Sequence, residues 1–103
     1  MAEWVTVGTA DEIVEGEAKA FDVSGKEIAV GRSGGTLYAF SDICTHRNCN
    51  LANGGEIEGS TIECECHGSV FDMGTGEVME GPATEPIATF GVSGEGGELK
   101  VEV

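Results

Sequence analysis

The chain has 103 residues, 40% of them hydrophobic and 23% charged, which suits one globular domain and excludes both a disordered tail and a pair of domains. Nineteen acidic residues against five basic ones give a formal net charge of −14. That balance excludes nucleic acid and anionic membrane surfaces as partners, because both select a basic footprint. Acidity of this kind serves solubility as well as it serves steering onto basic partners, and charge alone does not separate the two.

In chain order the sequence predicts short strands and little helix. No stretch keeps a 3.6-residue apolar period over ten or more positions, whereas β-type runs bounded by glycine recur along the chain. Strands are expected at 4–7 and 17–23, then at 27–30 and 36–40 around the turn Arg32-Ser33-Gly34-Gly35. Further hairpins are expected at 56–57 with 61–64, at 70–72 with 77–79, and at 87–92 with 99–103. In the last strand Leu99, Val101 and Val103 alternate with Lys100 and Glu102. Seventeen glycines supply the turns that such a chain needs. Pro82 and Pro86 place a loop between them, since neither can donate to a ladder. The reading is therefore all-β: one domain over 1–103, with scaffold strands that carry an insert at about 43–82.

The start of the chain shows neither a basic n-region nor an apolar h-region, and no apolar run approaches the roughly 20 residues that span a bilayer. A soluble, cytoplasmic protein is expected, and in that compartment cysteines read first as metal ligands or redox groups. All four cysteines and both histidines fall in two short clusters, Cys44-Thr45-His46-Arg47-Asn48-Cys49 and Cys64-Glu65-Cys66-His67-Gly68-Ser69. Two structural disulfides would leave the adjacent histidines unexplained. A Cys2His2 zinc module is a second reading, although zinc fingers space their first pair by two to four residues and carry the second on a helix. In the third reading each loop gives one cysteine and one histidine to an iron–sulfur cluster.

Cys44-x-His46 followed by Cys64-x-x-His67 resembles the Rieske 2Fe–2S motif, in which one iron takes two thiolates and the other two imidazoles. The likeness continues through His67-Gly68-Ser69-x-Phe71-Asp72 and Gly74-Thr75-Gly76, and Gly81-Pro82-Ala83 is similar to the family's proline loop. The resemblance implies a Rieske-type fold, an antiparallel β-sandwich base with a small cluster-binding β subdomain carrying two ligand loops. It implies one 2Fe–2S cluster on Cys44, His46, Cys64 and His67, with the added electron resting on the histidine-ligated iron and a potential that falls at alkaline pH. Cys49 and Cys66 match the extra pair that forms a disulfide in many members; two buried thiols are the alternative. Gly54, Gly55 and Gly68 either let backbone N–H groups approach the sulfides or serve only as turns.

The resemblance also bears on the potential. Ser69 matches a serine whose hydroxyl donates to a bridging sulfide in high-potential members, while Phe71 stands where those members place a tyrosine donor. Glu65 occupies a position where proline is common, and its charge disfavours an added electron if it faces the cluster. A lone domain with no membrane anchor and no fused oxygenase domain is similar to the ferredoxin component of bacterial multicomponent aromatic-ring dioxygenases. The implied function is one-electron transfer, without catalysis of its own, from an NAD(P)H-dependent flavoprotein reductase to a terminal non-haem iron oxygenase. Both partners would dock near His46 and His67. A Rieske carrier for another redox enzyme, a redox sensor and a structural zinc module stand as alternatives.

Overall fold

The computed structural model describes residues 3–44, 49–66, 68–81 and 83–103. Among the described residues ten strands form two antiparallel sheets: β1 (Trp4–Thr9), β2 (Ala18–Val23), β3 (Lys26–Ser33), β4 (Thr36–Ser41), β5 (Glu56–Glu58), β6 (Thr61–Glu63), β7 (Val70–Asp72), β8 (Val78–Glu80), β9 (Thr89–Ser93) and β10 (Glu98–Glu102). Each expected hairpin is present, though most strand ends shift by a residue or more. The largest extension is at β3, which runs through Arg32 and Ser33 because both pair with β4. Cys64 lies outside β6, whose ladder to β7 begins at Glu63. Among the described residues the only helices are two one-turn 3-10 segments, Ala10–Glu12 and Glu95–Gly97.

The larger sheet has the order β1-β10-β9-β4-β3-β2, and the smaller the order β5-β6-β7-β8. All six strands of the larger sheet give side chains to one core, built from Val5 and Val7, Phe21 and Val23, Ile28 and Val30, Ala39, Val92, Leu99 and Val101. Only a sheet folded over on itself brings its two ends to one core, so the two layers of the sandwich base are halves of one sheet. Alternation on β3 and β4 then divides the molecule. Ile28, Val30 and Ala39 face this base core, while Ala29 and Phe40 face a second one.

The second core lies between the base and the smaller sheet and contains Phe40, Cys44, Leu51, Ile62, Cys64, Phe71, Met73, Ala83 and Ile87. The chain leaves the base from β4 and re-enters at β9. These two strands are ladder neighbours, with Ala39 opposite Phe90 and Phe40 opposite Thr89. No described helix is long and apolar enough to cross a membrane.

Candidate metal centre

The first cysteine cluster hangs from the end of β4. Backbone pairing of Ile43 with Asn50, and the Cys44 N–H donating to the Cys49 carbonyl at 2.9 Å, close the ends of the loop. Beyond it Leu51 is fully buried, and the Gly55 N–H donates to the Leu51 carbonyl at 3.1 Å. A Cβ on Gly55 would collide with that same carbonyl oxygen, so this turn has no room for a side chain. Gly55 thus serves a turn too tight for a side chain.

The second cluster links β6 to β7. The Cys64 N–H donates to the Ser69 carbonyl at 2.7 Å, and the Gly68 N–H to the Cys64 carbonyl at 2.9 Å, which draws the two ends of the cluster together. Gly68 sits at φ +77°, where a side chain would be strained. At the end of β7, Asp72 holds the following turn: its Oδ1 accepts from the N–H groups of Gly74 and Thr75, and its Oδ2 from Ser60 Oγ. Burial pushes the Asp72 carboxyl upward, but the Thr75 and Gly74 amides with the Ser60 hydroxyl outweigh it and hold the group below its usual range.

Cys49 and Cys66 form a disulfide between the two loops, with Cα atoms 6.5 Å apart. The alternative of two buried thiols is thereby set aside. Cys44 and Cys64 remain thiols, at 2% and 1% exposure. The Cys64 sulfur lies within 4.8 Å of both disulfide sulfurs. Of the four cysteines, then, two are spent on a cross-link and two are left as buried soft donors, one from each loop. That set fits a thiolate-held cluster better than a disulfide framework. His46, His67 and Pro82 lie outside the described residues.

Around the thiols the expected neighbours take different parts. Ser69 is fully buried, and its Oγ accepts from the Ala83 N–H at 3.0 Å. Its hydroxyl thus ties the second loop to the segment that follows Gly81 and keeps its own proton for another acceptor. Phe71 is fully buried in the second core, a packing group with no proton to give. Glu65 is exposed and lays its carboxylate against Gly54 of the first loop. A further residue, not anticipated from the sequence, is Asp42, fully buried just before the first loop. Its one sequence signal is position, two residues ahead of Cys44; acids are ordinarily read as surface.

Comparison with known proteins agrees with this geometry. The chain matches the Rieske [2Fe-2S] domain family over residues 3–91. It is 35% identical over 103 residues to the anthranilate 1,2-dioxygenase ferredoxin subunit of Burkholderia cepacia, covering 100% of this chain and 94% of that protein. The ferredoxin of carbazole 1,9a-dioxygenase from Nocardioides aromaticivorans IC177 superposes with a TM-score of 0.88 at 36% identity, covering 95% of both chains. A complex of reduced oxygenase and oxidized ferredoxin in carbazole 1,9a-dioxygenase gives a TM-score of 0.87 at 34% identity, covering 95% of this chain and 91% of that one.

Proposed function

Because the chain belongs to the Rieske [2Fe-2S] domain family and takes one cluster of that type, we propose that it is the ferredoxin of a multicomponent aromatic-ring dioxygenase. It accepts single electrons from an NAD(P)H-dependent flavoprotein reductase and delivers them to a terminal non-haem iron oxygenase, in the cytoplasm where NAD(P)H is available. Cys44 and Cys64 hold one iron, and His46 and His67 the other. The observation that carries this reading is the pair of buried thiols, one from each cross-linked loop, in a chain related end to end to a dioxygenase ferredoxin subunit.

When bound, the cluster supplies a one-electron couple. The protein supplies its surroundings. Leu51, Ile62, Phe71 and Met73, each at most 1% exposed, keep water from the thiols. The disulfide and the Ser69–Ala83 hydrogen bond hold both loops and the segment after residue 81 in one arrangement. A carrier benefits from such rigidity because little has to reorganise when charge arrives. No lysine or arginine occurs between Arg47 and Lys100, so the half of the chain that bears the cluster is anionic and suits basic docking faces.

EPR of the dithionite-reduced protein tests the ligand set. The low average g of a mixed histidine–cysteine cluster is expected. An all-cysteine signature, or colourless protein with stoichiometric zinc, would refute it. The carrier role is tested by stopped-flow mixing: reduced protein should be oxidised by a terminal dioxygenase at least as fast as that enzyme turns over.

A further inference from the structure

Asp42 is the only charged side chain that is fully buried among the described residues, and no described cation pairs with it. Burying a carboxylate is costly unless its oxygens are satisfied. Here each oxygen takes a bond from the returning limb of the first loop: Oδ2 from Asn50 Nδ2 at 2.7 Å, and Oδ1 from the Ala52 N–H at 2.7 Å. The main chain of the same residue reinforces this. Its N–H donates to the Glu27 carbonyl at 3.0 Å, and its carbonyl accepts from the Leu51 N–H at 2.6 Å. Every one of these partners lies either on the base sheet or just past Cys49. The segment that contains Cys44 and ends at the disulfide is therefore clamped at its root to β3.

If filling space were the only requirement, an apolar residue would serve at lower desolvation cost. A carboxylate with two amide donors fixes something more specific, the register between the outgoing limb at 42–44 and the returning limb at 49–52. We propose that Asp42 is a positioning residue of the cluster site, acting through Asn50 and Ala52 to hold the Cys44 limb in the arrangement that accepts the cluster. This rests on the reading of Cys44 as a ligand.

The test uses the full-length holoprotein and compares Asp42→Ala, Asp42→Asn and Asn50→Ala with Val30→Ala, which lies in the base core. The readouts are the rate of bleaching by an iron chelator, the g-values of the reduced cluster and the thermal midpoint by circular dichroism. Outer partners of metal ligands commonly alter metal affinity by about 10–100-fold, and Asp42→Ala is expected to bleach faster by a factor in that range, with broadened EPR lines. Asp42→Asn keeps an oxygen for the Ala52 N–H and can pair with a rotated Asn50 amide, so it should restore most of the wild-type rate. Val30→Ala should lower the midpoint and leave bleaching unchanged.

Equal bleaching by Asp42→Ala and Val30→Ala at matched loss of midpoint would overturn the proposal. Should Asp42→Ala not fold, Asn50→Ala decides, since Asn50 is exposed: faster bleaching supports the clamp, and a wild-type rate refutes it. Cys44→Ala separates the two readings. If that variant keeps an unaltered cluster, the ligand assignment falls and the positioning role with it. If it is empty while Asp42→Ala bleaches normally, only the positioning role falls.

Discussion

The base sheet and the cluster sheet are held together by different means. In the base, β3 runs for eight residues and pairs with β2 over Lys26–Gly31 and with β4 over Ile28–Ser33. The buried members of its core are aliphatic, with Ile28, Val30, Leu99 and Val101 at 0% exposure. Strands β5 to β8 have three residues each, too few for a ladder to carry them alone, and their core includes two thiols. Here cross-links replace ladder: the Cys49–Cys66 disulfide, the Asp42 clamp, the Asp72 turn and the cluster itself. Ligand loops need backbone that is not committed to a sheet, and such backbone must then be fixed residue by residue.

This contrast should break most sharply at the thiols. Cys64→Ala is expected to leave the protein colourless and without iron, while the far-UV spectrum of the base persists; simultaneous collapse of both halves would show that the base does not stand alone. Next come the two cores. Phe71→Ala should cost about 3–5 kcal/mol and Leu99→Ala about 2–5 kcal/mol, yet only the first should hasten cluster loss at a given denaturant concentration. Equal effects on the cluster would erase the distinction.

A smaller effect is expected at the cross-link. Replacing both Cys49 and Cys66 by serine removes a link across 17 residues of sequence, worth about 3 kcal/mol by loop-closure entropy. The loss should appear as earlier bleaching on heating with little change in base-sheet melting. The smallest concerns the base. The Lys19 ammonium, together with the Thr9 N–H, holds the Glu12 carboxyl down from 4.5 to about 2. A lowered native pKa contributes stability that is complete above the unfolded value and is lost as pH falls toward about 2. Glu12→Gln should therefore flatten the decline of the base-sheet thermal midpoint between pH 4.5 and 2. Because the pair is exposed, the change will be slight.

The hairpins were legible because their signals are local: glycine turns, flanking β-branched residues and the alternation Leu99, Val101, Val103. Strand ends were less so. Whether Arg32 and Ser33 continue β3 is decided by partners on β4, not by their own propensities. The 3-10 turn at Ala10–Glu12 is too short for periodicity, although Thr9 and Glu12 do stand at capping-box spacing. Buried Asp42 escaped because nothing in an isolated acid announces its burial. The disulfide agrees with the family likeness.

One consequence follows from the adjacency of β4 and β9. The polypeptide leaves the base and returns to it on strands that already face each other across a ladder. In engineering terms the cluster half is a cartridge seated in an ordinary antiparallel hairpin. Replacing residues 42–88 by a tight turn should leave a colourless, folded base, and a scaffold that is to seat the cartridge must present, beside two such strands, the apolar face that Ala29 and Phe40 supply here.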